Sequence, residues 1–410
     1  MKERRYDIDW VRVIAMLAVF VFHCTRFFGT EDWHAKVPAA EQSETVVLLR
    51  TFLIAVWFMP LFFLLAGFAS RYSLKRRTGG QYLLERVKRL LIPLYTVGMF
   101  ILAVPQAYFD GVTHERITGT FWQYLPYYYR DIPGSIIYSA TQFLDPIFLV
   151  PYTFSGHFWF FQLLFVVSLV TLPLLLYLKS ERGQRFIERL AEWCDRPGGI
   201  FLFVIPLAIV QIALRWLPVT TDRTWADFLW YVVFFVAGYI IAADDRFTDS
   251  IKRHGWVCLA LWIVVFWVGG GLLTFVLEFD PSPGHGFSLL YAVWQTLWSI
   301  ICWSSVVFIL SLGAKYLNFT NKTLVYSNEA VLPFFIFHQT IILIVGWFVI
   351  RWNIGILPKY LIIAVVSFAL IMALYELLVR RFNVVRFFFG MRPKKKPPAR
   401  PTPRPEETVA

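Results

Sequence analysis

The sequence predicts an all-α, polytopic integral membrane protein of about ten transmembrane helices, with both termini in the cytoplasm. The first observation is composition. Of 410 residues, 58% are hydrophobic and only 16% are charged, against roughly 25% charged in a soluble domain. Too few polar side chains remain to coat a globule in water, so part of the solvent must be lipid. The second observation is the regular return of apolar runs long enough to cross a hydrocarbon core. The third is the placement of charge. Of the 39 Lys and Arg residues, 29 fall on one side of the membrane in this reading and 9 on the other, with Arg12 inside the first span. A surplus of that kind marks the cytoplasmic face.

In chain order the spans are expected over 10–28, 46–70, 91–109, 156–178, 199–217, 226–243, 255–277, 288–312, 330–350 and 360–379. Helices are expected because only a helix or a closed barrel satisfies its own backbone in lipid, and the short alternating runs of a barrel are missing. No small-residue cleavage site follows the first run, which is expected to be retained as a span. The segment 132–154 is apolar but interrupted by Pro133, Gly134, Asp145, Pro146 and Pro151, so a re-entrant or surface-lying segment is expected there. The outer connection 110–155 carries Trp122, Tyr124, Tyr127, Tyr128, Tyr129 and Tyr138. Such rings serve equally as a belt at the membrane boundary or as flat surfaces for sugar rings.

One transmembrane domain is expected over 1–391, followed by a disordered basic, Pro-rich cytoplasmic tail over 392–410 that can lie near anionic lipid. The net charge of +12 does not imply nucleic acid, because the basic residues sit in short blocks between apolar runs. Cys24, Cys194, Cys258 and Cys302 lack metal-ligand spacing, so neither a zinc site nor a disulfide framework is expected. Asn318 and Asn321 match Asn-x-Thr but fall in a loop placed in the cytoplasm. The partner implied at this point is the lipid bilayer; a homo-oligomer is compatible with the sequence.

The first span carries the sharpest signal. Arg12 and His23 are 11 residues apart, which is roughly 16 Å along a helix and nearly the same face. Asp9 lies one turn before Arg12 and can pair with it. Ionisable residues inside a span are costly and usually face a polar interior. On physics alone, Arg12 also reads as a snorkelling anchor and His23 as a polar residue at the outer boundary. Two independent anchors need not share a face.

Arg12, ten residues and then His23 resembles the hallmark of the membrane acyltransferases of the acyltransferase type 3 family. Asp9 and Ala15 complete a pattern similar to its Asp-x-x-Arg-x-x-Ala. MPLFFLLAGFASRYSLKRR (59–77) resembles the family's second helix, and RVKRLLIPLY (86–95) its basic start of helix three. SGHFWFFQLLF (155–165) is similar to its His-Leu-Trp-Phe stretch, with Phe158 in place of Leu. NEAVLPFFIFHQTIIL (328–343) is similar to the late block of the glucan succinyltransferase branch. The order of these pieces, up to about residue 345, is the specific part.

The resemblance implies transfer of an acyl group, acetyl or succinyl, from acyl-CoA to a hydroxyl of an extracytoplasmic glycan such as a periplasmic glucan, by a multi-pass protein of the bacterial inner membrane. A hydroxyl is a poor nucleophile until a base takes its proton, and an imidazole suits that role at neutral pH. His23 is therefore expected to be the base, Arg12 to hold the donor, and Asp9 to orient Arg12. Arg71, Arg76, Arg77, Arg86 and Arg89 are expected to bind the CoA phosphates, although a basic loop also serves as a topology determinant. His157, Trp159, His338, Arg50 and Trp122 are candidate acceptor contacts, Arg50 also suiting an acidic acyl group. No strong nucleophile but Cys24 adjoins His23, so direct transfer is expected. The rival from another class is a transporter or flippase of a glycan or lipid-linked sugar. Transporters often pair broken helices in repeats, and no such pairing is evident.

Overall fold

The computed structural model describes residues 4–141, 156–215, 225–280 and 287–394. Among them the regular structure is helical and no strand occurs. The helices are α1 (Tyr6–Phe28), α2 (Glu44–Arg76), α3 (Gly79–Thr113), α4 (Phe121–Thr141), α5 (Gly156–Val170), α6 (Leu172–Lys179), α7 (Glu181–Asp195), α8 (Gly199–Leu214), α9 (Trp225–Ile241), α10 (Asp245–Thr274), α11 (Leu289–Tyr316), α12 (Lys322–Val349), α13 (Ile356–Val379) and α14 (Asn383–Phe388). Seven of these, α1 to α3 and α10 to α13, are long and apolar enough to cross a membrane. The pair α5 and α6 makes an eighth span if taken together, bent by 50°. Pro173 explains the bend, because its ring excludes a straight continuation of α5. The shorter apolar helices α8 and α9 occupy the places of the fifth and sixth expected spans.

Many large apolar side chains lie on the outside of the bundle. Leu53, Ile101, Val170, Ile209, Val268, Phe348 and Val365 are all exposed, as side chains solvated by lipid should be. With hydrophobicity unable to drive helix against helix in lipid, close packing must do it. The crossing of α2 and α9 shows how. A β-carbon on Gly67 would lie 1.8 Å from the Phe235 carbonyl oxygen, and one on Gly238 would lie 1.9 Å from that of Leu64. Only glycine permits that approach.

Helix α1 is central and packs against α2, α11, α12 and α13. Its two ends therefore look into different parts of the bundle. Several spans depart from regular α geometry. Thr51–Ala55 in α2 and Leu94–Leu102 in α3 are π-helical, a feature frequent near functional sites. The amphipathic α7 leaves Phe186 and Trp193 exposed beside Arg185 and Arg189, which suits a helix lying at the membrane surface.

The outer connection is partly helical. Helix α4 runs along α3, with the Tyr128 hydroxyl donating to the Met99 carbonyl at 2.7 Å and that of Tyr129 to Phe100 at 2.8 Å. These two rings serve packing, not a free platform. The remainder of the expected re-entrant segment, 142–154, lies outside the described residues, as does the tail from 395 onward. Asn321 caps α12 by accepting from the Leu324 N–H at 2.8 Å, and Glu329 pairs with Arg386 at 2.7 Å, so both serve structure.

Candidate active site

At the end of the bundle that carries the N-terminus, α1, α2 and α3 enclose a cavity of about 840 Å³. Nine basic side chains line it (Arg4, Arg5, Arg12, Lys75, Arg76, Arg77, Arg86, Arg89 and Arg392), against two acids, Asp9 and Glu85. Arg12 donates to Asp9 at 3.2 Å and to Asn328 at 3.1 Å, and Asp9 also accepts from Arg4 at 2.8 and 3.0 Å. Asp9 thus pairs with Arg12, one turn away on α1. Glu85 pairs with Arg77 at 2.9 Å and approaches Arg89 at 3.5 Å. The surplus of positive charge is large, and guanidinium forks match phosphate oxygens.

Of the five expected donor-binding arginines, Arg76, Arg77, Arg86 and Arg89 line this cavity. Arg71 does not. It is 8% exposed and donates to Gln184 at 2.9 Å and to the Tyr239 hydroxyl at 3.4 Å, tying α2 to α7 and α9. The lining stripe of α2 runs through Phe68, Ala69, Tyr72, Ser73 and Arg76, and Arg71 sits about 130° round the helix from its centre.

At the far end of α1 lies a second cavity, of about 410 Å³. His23, His157 and His338 converge on it from α1, α5 and α12. The rings of His23 and His338 are 5.0 Å apart, and those of His157 and His338 are 4.8 Å apart. Trp159, Trp230, Tyr231 and Trp298 supply aromatic walls. The π turn in α2 ends at Ala55, which lines the cavity with Val56. Arg215 and Asp227 line the same cavity, Arg215 making a two-pronged ion pair with Asp227 at 3.0 and 2.6 Å while its Nε donates to Gln211 at 3.0 Å.

Each histidine is held differently. His157 is fully engaged: its Nε2–H donates to the Phe335 carbonyl at 3.0 Å and its Nδ1 accepts from Gln106 at 3.2 Å. Gln106 belongs to a buried chain. Its Oε1 accepts from Gln339 at 3.0 Å, Gln339 contacts His34 at 3.2 Å, and His34 donates to Asp110 at 3.0 Å. Gly156, at φ +50°, leaves room for this chain, because a β-carbon there would lie 2.4 Å from Gln106 Oε1. His338 donates through Nδ1 to the Phe335 carbonyl at 2.6 Å, leaving Nε2 buried and without a partner. His23 has a buried Nδ1 without a partner, and its ring lies against that of Trp33.

The expected acceptor contacts divide. His157, Trp159 and His338 line the histidine cavity. Arg50 lies behind it, 4% exposed, over the Phe22 ring at 5.0 Å and paired with Glu31. Trp122, on α4, is 76% exposed and does not line the cavity. Sequence reasoning missed Arg215 and Asp227. The signal was an acid inside the sixth expected span, which is costly unless paired. It also missed Gln106 and Gln339, amides inside apolar runs. Cys24 packs into the core with no exposed surface, and Cys302 lines the cavity without a hydrogen bond to any of the three imidazoles. Among the described residues no cluster of His, Cys, Asp and Glu has metal-site geometry.

The family model of the acyltransferase domain matches residues 5–376. Among curated proteins, the chain is 24% identical over 423 aligned positions to "Glucans biosynthesis protein C" of Salmonella schwarzengrund (strain CVM19633), covering 97% of each chain. The protein of the same name from Salmonella agona (strain SL483) is 24% identical over 415 positions, again with 97% of each chain covered. No solved structure matches.

Proposed function

The chain belongs to the acyltransferase-domain family, and we propose that this membrane acyltransferase moves an acetyl or succinyl group from acyl-CoA to a hydroxyl of an extracytoplasmic glycan. The observation that carries the proposal is the division of α1, with Arg12 in a cationic cavity at one end and His23 in a histidine-lined cavity at the other. The two residues are roughly 16 Å apart along the axis, a separation comparable with an extended pantetheine arm. The donor's phosphates rest among Arg12, Arg76, Arg77, Arg86 and Arg89, and the thioester reaches toward His23.

In the reaction, His23 takes the acceptor hydroxyl proton as the oxygen attacks the thioester carbonyl. The new C–O bond replaces the C–S bond, and the proton passes to the departing thiolate. Transfer is direct, since Cys24 is turned away into the core and Cys302 has no imidazole to activate it. The acceptor sugar packs its C–H faces on Trp159, Trp230 and Trp298, and the Arg215–Asp227 pair offers paired donors and acceptors to its hydroxyls. Arg50, behind Phe22, suits a carboxylate-bearing acyl group. The names and bacterial source of the relatives favour a glucan as acceptor and a bacterial inner membrane as the location, and the bias of Lys and Arg favours both termini and the cationic cavity in the cytoplasm.

The test is purified protein in lipid nanodiscs with acetyl-CoA or succinyl-CoA and a β-glucan. Glucan-dependent release of free thiol, with a matching ester on the glucan by mass spectrometry, supports the proposal. Absence of thiol release with either donor sinks the donor assignment.

A further inference from the structure

Among the described residues, two buried nitrogens on neighbouring rings have no partner, Nδ1 of His23 and Nε2 of His338. A buried polar atom without a partner is uncommon and asks for a reason. The rings are 5.0 Å apart between centroids and inclined by 51°. The protonation of His338 follows from its other side. Nδ1 lies 2.6 Å from the Phe335 carbonyl oxygen, which can only accept, so Nδ1 carries the hydrogen and Nε2 is a bare lone pair. That lone pair is the natural acceptor for an N–H on Nδ1 of His23. If Nδ1 of His23 carries the hydrogen, its Nε2 is the unprotonated nitrogen. That nitrogen is absent from the buried orphans although His23 lines the cavity.

We infer that His338 is a positioning residue that accepts the Nδ1–H of His23 and so fixes the tautomer in which Nε2 of His23 faces the acceptor hydroxyl as the base. The inference rests on the reading of His23 as the base. The order is Phe335 carbonyl, His338, His23, acceptor hydroxyl. Each donor in this order points the same way, and the bond between His23 and His338 forms when the two rings, 5.0 Å apart between centroids, approach one another. When Nε2 of His23 takes the hydroxyl proton, Nδ1–H stays in place and its bond to His338 strengthens, because the imidazolium is the better donor. The proton on Nε2 then leaves with the thiolate and the tautomer is restored. This is the task that a carboxylate performs behind the histidine of a hydrolytic triad, done here by a neutral imidazole, which suits a site inside a membrane.

His157 cannot take the role, because both its nitrogens are already committed to Gln106 and Phe335. The chain from Asp110 through His34, Gln339 and Gln106 ends on His157 and holds it in that state. The groups that bear on the charge of His23 are His338 from α12, His157 from α5, Arg26 from the end of α1, and His34 from the following connection. Glu31 lies near Arg26 at 3.9 Å, and Arg215 with Asp227 lines the same cavity.

The test compares His338→Leu, His338→Gln and His338→Glu with His23→Ala, each at wild-type level in the membrane. Glycan esters in cells are read by mass spectrometry, and the pH profile of acyl transfer is read in membrane vesicles. His338→Leu should lower kcat ~100-fold or more, the scale of losing an oriented base, with little change in KM for either substrate. His338→Gln keeps an oxygen that accepts the Nδ1–H and should stay within about tenfold of wild type. His338→Glu places a carboxylate behind His23 and should move the acid limb of the profile to higher pH. Should the leucine variant fail to assemble, the Gln and Glu variants carry the test. Wild-type kcat and profile in all three, with His23→Ala inactive, would overturn the positioning role and leave His23 as the base. An active His23→Ala would overturn both.

Discussion

Replacing Arg12 with alanine isolates the cationic end of α1. Arg12 makes two hydrogen bonds, to Asp9 at 3.2 Å and Asn328 at 3.1 Å, and its side chain keeps 29% of its surface exposed. Its removal does not strand Asp9, which retains the pair with Arg4 at 2.8 Å, so the fold should tolerate the change. The loss should fall on the donor. A hydrogen bond to a charged group contributes ~1.5–3 kcal/mol, and 1.4 kcal/mol is a factor of ten. Eight other basic residues line the cavity and partly compensate, so the donor Kd should rise by ~10–30-fold, toward the lower end of that range. Lysine at position 12 should restore only part of it, because the ammonium lacks the planar fork. The assay is calorimetric titration of CoA into the nanodisc-embedded variant. Arg71→Ala is the contrast: it should lower the level of folded protein, through the lost ties to Gln184 and Tyr239, with donor affinity unchanged. A shift below about twofold for Arg12→Ala, or an equal shift for Arg71→Ala, would refute the reasoning.

Three further outcomes are expected. Gly67→Ala puts a β-carbon 1.8 Å from the Phe235 carbonyl oxygen; overpacking of this kind costs ~1–3 kcal/mol or more, read as a lower Tm in detergent, and an unchanged Tm would contradict the close crossing of α2 and α9. Asp227→Asn removes the charge facing Arg215 and should raise the acceptor KM ~10-fold with the donor Kd unaltered; steady-state kinetics at varied glycan concentration decides it. On the outer connection, the hydrogen bond to Asp32 raises the His114 imidazole above its usual 6.5. A group raised in the folded state stabilises fully below 6.5 and loses that contribution as pH climbs through the raised value. The Tm gap between wild type and His114→Gln should therefore be wider at about pH 5.5 than at about pH 8.5, and a gap independent of pH would count against the Asp32 contact.

The helical class was legible because lipid imposes it: apolar runs of sufficient length have few other options. Arg12 and His23 were legible because a charge and an imidazole inside one span, on one face, are costly enough to demand a reason. The second ends of the same arguments were not. The face of α2 that Arg71 occupies depends on which neighbour packs there, and the run of basic residues gives no hint that Arg71 turns to Gln184 while Arg76 and Arg77 turn to the cavity. The π-helical turns of α2 and α3 leave no trace in hydrophobic periodicity. Gln106, Gln339 and His34 meet only because α3, α12 and the connection after α1 converge, so their chain is a product of tertiary packing. Asp227 was the legible omission, an acid inside an apolar run whose partner Arg215 stands twelve residues earlier.

The most direct test of the central claim is the acyl-ester content of extracytoplasmic glycans in cells carrying His23→Ala, measured by mass spectrometry against wild type and a deletion strain. An acyltransferase centred on His23 predicts that esters disappear in both the variant and the deletion strain while the variant protein remains at normal level in the membrane. Esters that persist in the deletion strain would contradict the glycan acceptor, and esters lost there but retained in the variant would contradict His23 as the base.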